Sequence, residues 1–326
     1  MAALTVNHLL TFTAAMREPL HLFRIAGFAA LAALAPARAE PLQPKPEPSC
    51  GDIERDYETV KAAAVSIQIN IALFAAADRG CDALAQKLVA AGASLLARDR
   101  RGAMPLAHAA RGGHPRLVDL FLEHGAPIDA RNVDGGTALF AAAEGEKHST
   151  VALLLQRGAD PNLTGRSGLT PLIAAAFKGN DRIVEILLAH RADPRVIDAT
   201  GKSAMVYAAA RGFDAIVQRL LDAGVDARAR AGNDLTALMW AAGHDEGVGP
   251  AAVERVVDLL LMHGAVLEAA DNRGRTALMI AAALGDAAAV DILLRRGADR
   301  AHTDKDGKTA LDLAANDDVR AKLEAK

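Results

Sequence analysis

Ten histidines are spread along the chain, and their spacing limits the chemistry they can do. His124, His190 and His263 recur at one place in a repeating pattern, each just before a helix stop. Catalysis or metal binding needs such groups to converge, whereas a basic side chain at a helix end meets the negative pole of the helix dipole. His244, Asp245 and Glu246 form the one compact set of metal-ligand types. They are consecutive on a glycine-rich stretch rather than at i and i+4 of a helix, so a solvated loop is expected there. A metal-dependent protein built on residues 243–250 stays open as an alternative. No phosphate-cradling glycine loop follows a strand pattern, and GxSxG is absent. Cys50 and Cys81 form neither a CxxC pair nor part of a Cys/His cluster, which argues against redox catalysis and a zinc site. The expectation is no enzyme and no cofactor.

These candidates sit on a repeating frame. A register residue recurs at Leu73, Leu106, Leu139, Leu172, Met205, Leu238, Leu278 and Leu311, 33 residues apart except for 40 between Leu238 and Leu278. Gly92, Gly125, Gly158, Gly224, Gly264 and Gly297 give the same ruler, with Arg191 standing where one glycine is missing. A period of this length holding two helices and a turn means a solenoid, whose units bury their apolar stripes only against neighbours. Residues 274–299, GRTALMIAAALGDAAAVDILLRRGAD, show the parts of one unit. Thr276 can cap the first helix through its hydroxyl, and Ala281 and Ala282 let adjacent first helices approach closely. Gly285 permits the positive φ of a turn; Val290, Leu293 and Leu294 then make one stripe, and Gly297 stops the second helix. Seven extra residues between Trp240 and Val256, rich in glycine and holding Pro250, predict a loop extension at 243–250.

Thr170-Pro171-Leu172-Ile173 opens one first helix, and Thr137-Ala138-Leu139, Thr236-Ala237-Leu238, Thr276-Ala277-Leu278 and Thr309-Ala310-Leu311 are weaker copies. Together with the period, they resemble the ankyrin-repeat family over about residues 66–324. The family's histidine after the leucine is replaced by residues such as Phe140, Ile173, Val206 and Met239, so its usual Thr–His hydrogen bond is not expected. The resemblance implies an all-α solenoid of about eight helix–turn–helix units joined by short hairpin-like turns, and recognition of another protein. First helices and turn tips of such an array line an extended concave surface. Positions two, five and six after the register residue should face it, which places there His108, Arg111, Phe177, Lys178, Tyr207, Arg211, Trp240 and His244. The only tryptophan, one of two tyrosines and Phe177 fall in three consecutive repeats. Aromatic and arginine side chains dominate binding hot spots, so these eight residues are the expected partner-binding set. For Tyr207 and Trp240 the alternative is simple gap-filling against the next repeat.

About half the residues are apolar, aromatics are few, and the net charge is −3 with no long single-sign run. That balance lacks the basic footprint of a nucleic-acid binder. Arg17 and Arg24 precede an apolar run from Ile25 to Ala35, and Ala37-Arg38-Ala39 follows, the pattern of a cleaved signal peptide over residues 1–39. Cleavage is expected between Ala39 and Glu40, with Met16 an alternative start to Met1. A packed apolar N-terminal helix is the other reading. It is disfavoured by Pro41, Pro44, Pro46 and Pro48, in a linker read over 40–51. Ile53, Tyr57, Val60 and Ala64 then follow helical spacing, so residues 52–65 can cap the first repeat. Export would permit a Cys50–Cys81 disulfide, with two unpaired buried thiols as the alternative.

These readings combine into one expectation. The chain is an exported scaffold, monomeric and bacterial periplasmic, that binds another protein and has no membrane span after cleavage. A secreted effector that engages a host protein is the alternative.

Overall fold

A computed structural model describes residues 48–61 and 66–325. The expected signal peptide and most of the linker lie outside the described residues. Seventeen α-helices are found among them, and no strand longer than an isolated bridge. Helix α1 (Cys50–Val60) comes first. Then eight pairs follow: α2 (Ser66–Arg79) and α3 (Asp82–Ala90), α4 (Pro105–Gly112) and α5 (Pro115–Glu123), α6 (Ala138–Glu144) and α7 (His148–Gln156), α8 (Pro171–Lys178) and α9 (Asp181–Ala189). The remaining pairs are α10 (Ala204–Ala210) and α11 (Asp214–Asp222), α12 (Ala237–Ala242) and α13 (Pro250–Met262), α14 (Ala277–Leu284) and α15 (Ala287–Arg295), α16 (Ala310–Leu313) and α17 (Asp317–Glu324). The two helices of a unit pack on each other, and between units first helices pack mainly on first helices and second on second, in chain order.

The local chemistry explains each unit. Thr137, Thr170, Ser203, Thr236, Thr276 and Thr309 accept a backbone N–H three residues on, satisfying a free amide at the start of the first helix. Met104 cannot do so, and Pro105 at the first helical position has no N–H, so one donor fewer needs an acceptor. Register residues from Leu73 to Leu278 are nearly solvent-free, while Leu311 is half-buried because no repeat follows its own.

The turns between units are fingers held by their own side chains. Asp99, Asn132, Asp198, Asp271 and Asp304 stand seven residues before the register residue. Each Oδ1 accepts two backbone N–H groups, two and four residues on, at 2.8–3.0 Å. Gly165 and Ala231 lack a side-chain oxygen, and there the finger is a short 3-10 turn instead. Arginine ties neighbouring fingers together: Arg98 donates to the Arg131 carbonyl at 2.8 Å, and Arg230 to that of Ala270 at 2.7 Å.

Three expectations change in detail. Helix α1 begins at Cys50, inside the expected linker, because Ser49 caps it with a reciprocal bond from Asp52. Its buried residues are Ile53 and Tyr57, whereas Val60 is exposed and Ala64 lies outside the described residues. The 243–250 extension is not all loop: α13 starts at Pro250 and runs 13 residues against 9 in α11, so part of the insertion became an extra turn. Proline at the first position followed by two alanines explains it.

Arg191 has φ +64°, the left-handed conformation, where the other repeats use glycine. Asp234 repeats the exception in a finger, with φ +62° where Gly201 and Gly274 stand in flanking repeats. A side chain costs roughly 1–2 kcal/mol there, less for aspartate, which tolerates the region. Arg191→Gly is therefore expected to raise the melting temperature by roughly 2–4 °C. Thermal circular dichroism showing no rise would contradict the assigned turn.

Candidate functional site

The face made by first helices and fingers holds the eight expected residues, but not as one patch. Five gather across repeats four to six. Phe177, near the end of α8, meets Tyr207 of α10 edge to face at 5.5 Å between ring centres. The Arg211 guanidinium, at the end of α10, lies 4.6 Å from the Phe177 ring centre and 5.7 Å from that of Phe213. Trp240 of α12 joins through a residue that the helix positions alone do not reach. Lys202, in the finger before α10, places its ammonium 4.6 Å from the Trp240 ring and 5.4 Å from Tyr207. Cation–π contacts of this kind contribute roughly 0.5–2 kcal/mol each. Lys178, next to Phe177, is exposed.

The Tyr207 ring is aimed by its hydroxyl. It donates to Asp198 Oδ2 at 2.7 Å, while Asp198 Oδ1 holds the finger amides and the Thr200 hydroxyl. Burial acts to raise the Asp198 pKa, but these hydrogen bonds outweigh it and keep the carboxyl below its ordinary range. Burial, with the Asp198 hydrogen bond next, pushes the Tyr207 phenol well above its ordinary value, so it stays protonated and donating. Such a tyrosine is a positioned ring rather than a base.

Trp240 is partly buried against the core, and its indole nitrogen is buried with no acceptor among the described residues. A phenylalanine there would supply ring surface without an unsatisfied donor, which costs about 1–3 kcal/mol.

The other three expected residues stand apart. His108 is buried at 8 % exposure, its ring nitrogens 2.9 Å from Asp78 Oδ1 and 3.1 Å from Asp99 Oδ2. It braces its finger as Tyr207 does, from the equivalent position, so its side chain is not displayed. Arg111 is exposed and pairs with Asp78 at 3.0 Å, two repeats away from the aromatic group. His244 sits 2.6 Å from Asp286 Oδ2 through Nε2, and Nδ1 is 3.0 Å from the Asp245 carbonyl. Both nitrogens are thus engaged within the protein. Among the described residues no three His, Cys, Asp or Glu side chains converge on one point. His124, His190 and His263 each donate Nδ1–H to the carbonyl four residues back at 2.8 Å, capping their helices as expected.

Sequence reasoning missed Lys202, Phe213 and Asp198. A signal was present: Lys202 is three residues before the register residue Met205, a place held by Ala103, Gly136, Leu169 and Leu235 in units two, three, four and six. Phe213 has room because Gly179 has no side chain; a Cβ there would lie 2.6 Å from the ring.

The fold defines a helical repeat array whose exposed first-helix face carries side chains suited to recognition rather than to bond chemistry. The family model for ankyrin repeats (3 copies) matches residues 73–165, 148–231, 172–249 and 250–322, so the chain belongs to the ankyrin-repeat family. No curated protein matches it. Ankyrin repeats are generally protein–protein interaction modules, and their proteins are typically non-catalytic scaffolds. Among the described residues no helix is long and apolar enough to cross a membrane.

Proposed function

We propose that this chain is an exported, non-catalytic scaffold that binds one partner protein on the concave face of its array, acting as a monomer in the bacterial periplasm. The carrying observation is the linked group of Phe177, Tyr207 and Trp240 on three consecutive repeats, with Arg211 and Lys202 against their rings. Rings and arginine present large area at modest entropy cost, which is what binding hot spots use. Lys178 extends the patch, Arg111 and His244 stand apart from it on the same face, and His108 acts through the finger it holds. Export is supported by the Cys50–Cys81 disulfide, a bond that persists in oxidising compartments, and by the leader-like pattern of residues 1–39.

Affinity capture from a periplasmic extract tests the reading, with cell fractions probed for the protein itself. Tyr207→Ala/Trp240→Ala should lower partner recovery by more than about tenfold, since hot-spot truncations cost 2 kcal/mol or more. Tyr207→Phe, which keeps the ring, should retain most of it. Equal recovery by wild type and double variant would make the aromatic group structural. Protein found outside the cell instead of in the periplasm would favour an effector.

A further inference from the structure

We infer that the face across repeats four to six takes an extended protein segment bearing acidic side chains. The inference rests on the protein-binding reading above and specifies its partner by charge.

Arg111 of the first-helix face pairs with Asp78, but the cations of repeats four to six on that face differ from those of the second-helix face. On the second-helix face, basic residues pair with carboxylates of the preceding repeat: Arg157 with Asp119 at 2.7 Å, Arg255 with Asp214 at 3.0 Å, Arg296 with Asp258 at 2.6 Å. Arg219 pairs with Asp181 in the same way. On the opposite face Lys178, Lys202 and Arg211 have no carboxylate partner among the described residues; two of them rest on rings instead. The nearest buried carboxylate, Asp198, is occupied by Tyr207, Thr200 and finger amides. Three positive groups are therefore left for something outside the chain.

Ring contacts hold Lys202 and Arg211 in place, so a carboxylate meets cations that lose little freedom on pairing. The stretch is also bounded. Exposed Glu144 and Glu146 precede it in repeat three, and Asp245 and Glu246 follow it after α12. Neighbouring helices lie about 8–10 Å apart, so from α8 to α12 the patch runs roughly 16–20 Å. An extended chain rises about 3.3 Å per residue and points alternate side chains one way, so about six residues cover it. The continuous phosphates of a nucleic acid would run into the carboxylates at both ends; a short acidic segment of a protein would not.

A phage-displayed library of random twelve-residue peptides is selected on the wild-type protein. Enriched peptides should be net acidic with at least one apolar residue. Their affinity should fall about tenfold or more on Lys202→Met/Arg211→Met, which keeps both stems over the rings, and should weaken as salt rises. Lys178→Met, at an exposed position, should weaken it about threefold and guards against a folding defect in the double variant. Failure of any peptide to enrich, a neutral or basic pool, unchanged affinity on both variants, or equal binding of a twelve-nucleotide oligouridylate would overturn the inference. The two proposals separate cleanly. If a captured partner is lost by Tyr207→Ala/Trp240→Ala but kept by Lys202→Met/Arg211→Met, protein binding stands and the acidic segment falls.

Discussion

Replacing Cys50 and Cys81 by alanine is expected to remove roughly 3–4 kcal/mol from the N-terminal end of the array, the chain-entropy value for a loop of this length. The two sulfurs are bonded, 31 residues apart in sequence, and join α1 to the turn between α2 and α3. What the bond holds is small: Ile53 and Tyr57 are the buried residues of α1, and the Lys87–Glu54 ion pair is exposed. An eleven-residue helix is marginal by itself, so α1 depends on the link. In a solenoid each unit touches only its neighbours, and the loss should stay local. Amide exchange in α1 and α2 should speed strongly in the variant or under reductant, while α8 to α12 remain as protected as before. Unchanged protection of α1 after reduction would mean that packing alone holds the cap.

Phe121→Ala should cost about 3–5 kcal/mol, among the largest effects of any single substitution here. Phe121 is fully buried in α5, on one stripe with Leu117 and Val118, and α5 packs between α3 and α7 and against α4. A cavity there weakens two interfaces at once because second helices on both sides pack against α5. Stability of an array is close to a sum of unit and neighbour terms, so a loss this large at one junction should divide it. Urea denaturation followed by circular dichroism should show an earlier transition for the first two repeats ahead of the rest. A single transition shifted by less than about 1 kcal/mol would show that the interior relaxes more than close packing allows.

Much of the fold was legible without coordinates. The register from Leu73 to Leu278 named buried positions, Thr276 named a cap, and Arg191 named a residue forced to positive φ. These are local effects: a cap reaches three residues, a turn concerns one φ, and a 33-residue period makes each test repeat itself. That Phe177, Tyr207 and Trp240 fall on adjacent repeats was legible too, since stacking follows chain order, whereas the contacts of Lys202 and Phe213 were not. The extra helical turn at Pro250 was not, because glycine-rich spacing signals a loop and does not say where the next helix restarts.

The order of the repeats and the identity of the faces were therefore settled by the amino-acid sequence alone. Tertiary structure decided which side chains meet. His108 and Tyr207 occupy equivalent places, yet His108 lies between two carboxylates and against Phe74, while Tyr207 bonds one carboxylate and meets Phe177 and Lys202. Lys202 reaches Trp240 from the finger of the preceding unit, a contact that depends on how far each repeat is displaced from the last. Periodicity in the chain gives positions along the stack; distances across it come only from packing, which depends on side-chain volume and rotamer at every interface.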